Sequence, residues 1–140
     1  LHRIFQFIET IDDLPKAIAQ LSTEGILGDT DYIRKQIERI KRAFTKPEVV
    51  QWFDGSWTLF NECTILDYDA ATDTVREHRP DRVMKDEKTG EVVIVDFKFG
   101  SPRPEYVEQV NRYKALTQNM GYPNVKGYLW FVYSNRIEEV

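Results

Sequence analysis

Cysteine is nearly absent: Cys63 is the only one in 140 residues, which excludes an intrachain disulfide and a thiolate zinc cage. That usage suits a reducing cytoplasm, the expected location. Long apolar runs are missing as well. Stretches such as Val92 to Val95 and Tyr128 to Tyr133 fall far short of the roughly 20 residues that span a bilayer, so no membrane partner is expected. The first residues lack the basic stretch and apolar core of a secretory signal, and Leu1 in place of methionine reads as the start of a piece cut from a longer protein. Cationic residues are not in excess: 19 Lys and Arg stand against 23 Asp and Glu, a net charge of −4. A generally basic nucleic-acid coat is thereby excluded, although carboxylates gathered to hold cations lower the net charge by themselves. With 7 Gly, 6 Pro and 41% hydrophobic residues, neither a disordered nor a collagen-like chain fits.

What remains is one domain's worth of globular sequence. Ile33, Ile37, Ile40 and Phe44 recur at helical spacing among Arg34, Lys35, Glu38, Arg39, Lys41 and Arg42, so an amphipathic helix is expected there, capped near Asp29 to Asp31 and stopped by Pro47. A shorter helix is expected over Pro15 to Thr23, and Leu1 to Ile8 reads as the tail of another. This helical part, about 1–53, gives way to a sheet-containing core at about 57–140. Aromatic and β-branched residues collect in Trp57 to Asp67, Val75 to Met84 and Glu91 to Phe99, three expected strands. The polar stretch Lys85 to Gly90 should join the last two as an antiparallel hairpin. Tyr106, Val110, Tyr113, Thr117 and Met120 mark a second amphipathic helix, and Val125 to Tyr133 a final strand, which favours a parallel crossover. The expected class is α/β (α+β), a mixed central sheet of about four to five strands flanked by helices.

Chemistry concentrates where the most apolar strand ends. Val92 to Val95 runs directly into Asp96 and Lys98, and residues two apart on a strand share a face, so this acid and base converge while Phe97 points the other way. If the hairpin turn is centred between Lys88 and Thr89, Asp81 falls opposite Asp96. Two facing carboxylates repel unless one is protonated or a cation lies between them. A hard divalent ion such as Mg²⁺ suits such a pair, and Lys98 beside it can position a water for attack on a phosphodiester. The plain alternative is a salt-bridged surface hairpin. Gln109 and Tyr113 lie four apart on one helical face, available either for packing or for a substrate strand. Arg103, Arg112 and Lys114 are candidate phosphate contacts. His78 receives no catalytic role, and Trp52, Trp57, Trp130 and Cys63 read as core. No nucleotide-binding phosphate loop occurs.

The order Pro80-Asp81, Asp96-Phe97-Lys98 and Gln109-x-x-x-Tyr113 resembles the PD-(D/E)xK nuclease superfamily, and within it the RecB-like nuclease domains of AddA and RecB type helicase-nucleases. His2-Arg3-Ile4-Phe5 is similar to a helical motif near the start of such domains, and Glu62 to an acidic residue on their first strand. Phe97 and Phe99 depart from the Tyr and Thr common there, as does Arg79-Pro80 from a glycine. The resemblance implies a restriction-endonuclease-like core and a Mg²⁺- or Mn²⁺-dependent DNA nuclease serving repair or recombination, with a helicase domain in the same parent chain or complex. It further implies that Asp81 and Asp96 bind the metal with His2 and the Phe97 carbonyl, that Lys98 is the catalytic lysine, and that Gln109 and Tyr113 face DNA. Glu62 would orient a water or merely pair with an arginine, and His2 is otherwise a frayed terminus. A nuclease-like module that binds DNA or braces a helicase without cutting is the alternative function.

Overall fold

A computed structural model of the chain describes residues 8–23, 30–60 and 64–140. Apolar periodicity builds the helices as expected. After a 3-10 turn at Ile11–Asp13, α1 covers Leu14–Thr23 and α2 covers Thr30–Ala43. Ile40 and Phe44 are buried and Arg34, Lys35, Glu38 and Arg39 are exposed, the amphipathic division that the spacing implies. Pro47 has a second use: its fixed φ and missing N–H also suit a first helical turn, and it opens a short helix, α3, at Pro47–Trp52. The expected helix at Leu1 to Ile8 lies outside the described residues apart from Ile8.

Two of the three expected strands are broken in the structure. In place of one strand from Trp57 to Asp67 there are β1, Thr58–Leu59, and β2, Ile65–Asp69. Val75 to Met84 likewise divides into β3, Thr74–His78, and β4, Arg82–Lys85. Pro80, buried at the break, has no N–H for a sheet ladder, and the chain changes partner across it: β3 pairs with β2 in a two-stranded ribbon, while β4 joins the main sheet. The remaining elements are β5 at Val92–Lys98, α4 at Pro104–Asn119, β6 at Val125–Phe131 and β7 at Arg136–Glu139. β7 has no counterpart among the expected strands, and Met120, expected on the buried face of α4, caps that helix and is exposed.

The main sheet has the order β1-β4-β5-β6-β7. Its neighbours are antiparallel except β5 and β6, which run parallel through the α4 crossover. The fold is thus a mixed five-stranded sheet with a separate two-stranded ribbon, and the described residues form four α-helices. Both faces of β5 are covered, which explains its unbroken apolar run. Val93, Val95 and Phe97 join Met84, Trp130, Trp52, Phe53, Ile40 and Phe44 in one core. Val92 and Ile94 point oppositely, toward Val83, Val125 and Tyr113 of α4. Trp52 and Trp130 are buried as expected and Trp57 is partly so; Cys63 is outside the described residues. Among the described residues no helix is long and apolar enough to cross a membrane.

Arg82 ties the helical layer to the sheet. Only 6% exposed, its guanidinium donates to the carbonyls of Ile8 and Glu9 at 2.8 Å and of Trp52 at 2.9 Å, and it stacks 4.0 Å from the Phe53 ring centroid. Burial lowers its pKa to about 10, so it remains a cation, its charge met by carbonyl dipoles and an aromatic face.

Helix α4 packs tightly on β6 because residue 127 has no side chain. A Cβ at Gly127 would lie 2.6 Å from Val110 Cγ1 and 2.9 Å from Lys114 Cδ. Gly127→Ala should therefore push α4 outward and cost about 1–3 kcal/mol, read as a lower midpoint in urea unfolding; an unchanged midpoint would show that the helix yields without penalty.

Candidate active site

The hairpin closes on the expected register. Arg82 pairs with Val95, Val83 with Ile94, Met84 with Val93 and Lys85 with Val92. Gly90, at φ 76°, supports the turn, where Asp86 and Glu91 are joined by a 2.9 Å backbone bond. Asp81 comes one residue before Arg82 and Asp96 one after Val95, so the same register brings the two aspartates face to face. Asp81 is near enough to help raise the pKa of Asp96. Asp81 Oδ2 also accepts the Phe97 backbone N–H at 2.8 Å, a bond that holds its carboxylate over the end of β5.

Asp96 is buried, 4% exposed. Desolvation first, then the hydrogen bond and charge of Asp81, raise its pKa to about 7 against a lowering contribution from Lys98. Lys98 Nζ stands 2.7 Å from Asp96 Oδ2, an ion pair with that buried oxygen. The ammonium also donates to Gln109 Oε1 at 3.2 Å, Gln109 Nε2 donates to the Tyr113 hydroxyl at 2.9 Å, and the Tyr106 ring centroid lies 4.2 Å from the same ammonium. Burial, followed by the charges of Asp96 and Asp81, pushes Tyr113 up to about 12. Its hydroxyl thus keeps its proton throughout the neutral range.

Other candidates are placed elsewhere. Arg112 forms an ion pair with Asp67 of the β2–β3 ribbon, which holds the Asp67 carboxyl below its ordinary value. His78, 3.7 Å from Asp67, packs edge-on against Tyr113 with centroids 5.9 Å apart. Lys114 turns along β6 and donates to the Val140 carbonyl at 2.6 Å. Arg103, exposed in the approach to α4, has no side-chain cap bond. His2 and Glu62 lie outside the described residues, and among the described residues no group of three or more His, Cys, Asp and Glu side chains is gathered for a metal ion.

Sequence reading passes over Arg82, Tyr106 and the Asp67–His78–Arg112 cluster. Tyr106 has a signal, being three residues before Gln109 on one helical face. Arg82 also has one, since alternation sends it to the face opposite Asp81. The cluster has none, because it depends on how the ribbon folds against α4. In comparisons with known proteins, no family model matches the chain and no curated protein matches it.

The raised pKa of Asp96 fixes the sign of a pH effect. Folded Asp96 holds its proton more tightly than the unfolded residue, so its contribution to stability is fully present below about pH 4 and is lost as pH rises through about 7. Asp96→Asn removes the buried charge in a side chain of the same shape. Without divalent metal it should raise the melting temperature at pH 8 and have little effect at pH 4; a lower melting temperature at pH 8 would mean that the Lys98 ion pair outweighs burial.

Proposed function

We propose that this chain is a divalent-metal-dependent DNA nuclease of the PD-(D/E)xK type, with the restriction-endonuclease-like core and RecB-like site implied by its motifs. The observation that carries the reading is the strand register that sets Asp81 opposite a buried Asp96 whose partner on the same strand face is Lys98. A surface ion pair explains it poorly, because an exposed salt bridge has no reason to bury an aspartate beside a second one.

The donor set fits a hard cation. The two carboxylates of Asp81 and Asp96 offer oxygen ligands of the kind that Mg²⁺ and Mn²⁺ take. Asp81 and Asp96 would hold the ion, and the motif resemblance adds the Phe97 carbonyl and His2. The ion, when bound, would supply Lewis-acid polarisation of the scissile phosphate. The chain's own groups supply the rest. Lys98, held between Asp96 and Gln109, presents protons to an anionic phosphate and orients the attacking water. Gln109 fixes Lys98 and is itself fixed by Tyr113, so the spacing of Gln109 and Tyr113 sets the direction of the ammonium as well as a polar edge for DNA. Arg103 is the cation best left for phosphate contact, since Arg112 and Lys114 are engaged with Asp67 and Val140. An AddA- or RecB-type helicase in the same parent chain or complex would deliver the DNA.

The purified chain should cut DNA with Mg²⁺ or Mn²⁺ and not with EDTA, and Asp96→Ala and Lys98→Ala should each lower the rate by on the order of a hundredfold or more. Mn²⁺ should also stabilise the fold, by about 2.7 kcal/mol at a hundredfold excess over Kd, read as a melting-temperature rise. Asp81→Asn should abolish the rise and His2→Ala should reduce it, since imidazole suits Mn²⁺ better than Mg²⁺. Folded variants of Asp96 or Lys98 that cut at the parental rate would overturn these catalytic roles. A folded parent chain that binds DNA but never cuts it would instead be the silent module.

A further inference from the structure

Beyond the carboxylate pair, the ends of the two parallel strands enclose a cleft of about 470 Å³. Lys98, Phe99, Ser101, Tyr133 and Arg136 line it. Lys98 therefore belongs to both places: it pairs with Asp96 at 2.7 Å and is one of the residues that line the cleft. The volume falls within the roughly 300–1,000 Å³ of ligand sites, and its chemistry is mixed in a particular way. Two aromatic rings, Phe99 and Tyr133, meet edge to face with centroids 5.3 Å apart, and the Arg39 guanidinium of α2 sits 5.2 Å from the Tyr133 ring centroid. The rings are thus held in place before anything binds, which lowers the entropy cost of ordering them. At the rim Arg136 pairs with Glu138 at 2.6 Å, its side chain 60% exposed. So exposed a pair contributes little, and the guanidinium can exchange it for a phosphate at small cost. Ser101, on the exposed loop before α4, adds a hydroxyl.

We propose that this cleft is a nucleotide subsite, taking one unstacked nucleotide of the strand being cut, its base against Phe99 and Tyr133 and its phosphate at Arg136 and Ser101. The proposal rests on the nuclease reading and deepens it. An aromatic wall recognises a base through its π face, and cationic and hydroxyl groups recognise the phosphate that accompanies it. A base still stacked in a duplex cannot reach that wall. Lys98 links the subsite to the carboxylates, because it lines the cleft and pairs with Asp96. The cleft thus selects strands whose bases are free next to the bond to be broken.

Binding is measured on the full chain in an Asp96→Asn background that prevents cutting, with a labelled oligothymidylate, an abasic strand of equal length and a hairpin duplex as probes. Tyr133→Leu should weaken the oligothymidylate about tenfold and leave the abasic strand unchanged. Arg136→Gln should weaken both and lower the salt slope by about one. Ser101→Glu, on an exposed loop where folding is not at risk, should also weaken both, and it carries the test if Tyr133→Leu fails to fold. The hairpin duplex should bind less tightly than the oligothymidylate and be indifferent to Tyr133→Leu. Oligothymidylate affinity insensitive to all three substitutions, or equal sensitivity of the abasic strand to Tyr133→Leu, would overturn the subsite. Cleavage by the unsubstituted chain with Mn²⁺ is scored separately. Loss of the subsite with cleavage intact leaves the nuclease reading standing, and substitution-sensitive binding without any cleavage counts against that reading and for the subsite.

Discussion

The β4–β5 register is the constraint on which the site depends. Each hairpin pair from Lys85 and Val92 to Arg82 and Val95 is an apolar or backbone-bonded contact that would be lost by a slip of one residue, since such a slip exchanges the two faces of the sheet. The favourable burial of Val83, Met84, Val93 and Ile94 therefore enforces an unfavourable meeting one step further on, where Asp81 faces Asp96. The Phe97 N–H and the Lys98 ammonium relieve part of that repulsion; burial first, and the neighbouring Asp81 second, still raise the pKa of Asp96. A residual electrostatic strain of this sign disappears when a divalent cation occupies the pair. The cation's affinity should accordingly increase as pH rises through about 7, where the proton leaves.

Arg82 ties the start of β4 to the helical layer. It lies next to Asp81 yet on the other face, where it gathers the carbonyls of Ile8, Glu9 and Trp52. Those carbonyls belong to the segment before α1 and to the end of α3, so the helical layer is anchored one residue from the carboxylate pair. On the opposite face the ribbon is anchored too, through Asp67 to Arg112 and His78. Asp81 thus sits at the junction between the ribbon and the main sheet, and both are attached to helices that do not themselves supply a carboxylate.

Much of this is legible in the sequence because it follows from local rules. The period of Ile37, Ile40 and Phe44, the β-branched run at Val92 to Val95 and the polar turn before Gly90 identify helix, central strand and hairpin, and turn centring alone aligns Asp81 with Asp96. The break at Pro80 is also written in the sequence but reads as strand, because Val75 before it and Val83 and Met84 after it mask a residue without an N–H. β7 is illegible for another reason. Its four residues, Arg136–Glu139, are mostly charged, and they form a strand only because β6 presents an edge to pair with. Arg112 looks available for phosphate until tertiary structure brings Asp67 to it. Burial of Asp96 and the Lys98–Gln109–Tyr113 chain can be guessed as proximity, but not as a particular hydrogen-bond order.

The same geometry reconciles an acidic chain with the polyanionic substrate that the proposed nuclease function requires. A net charge of −4 disfavours DNA at long range, yet long-range charge is screened within about 8–10 Å at physiological ionic strength. At contact distance the balance is local. Asp96 is buried and retains its proton up to about pH 7, Asp67 is neutralised by Arg112, and Lys98 and Arg136 line the cleft that adjoins the pair. Negative charge is thus concentrated where a cation would cancel it, and positive charge where a phosphate would arrive. On the proposed nuclease reading, a divalent ion held by Asp81 and Asp96 adds positive charge where a phosphate would arrive, so metal binding and strand binding should be positively coupled, each increasing the affinity for the other by the same factor.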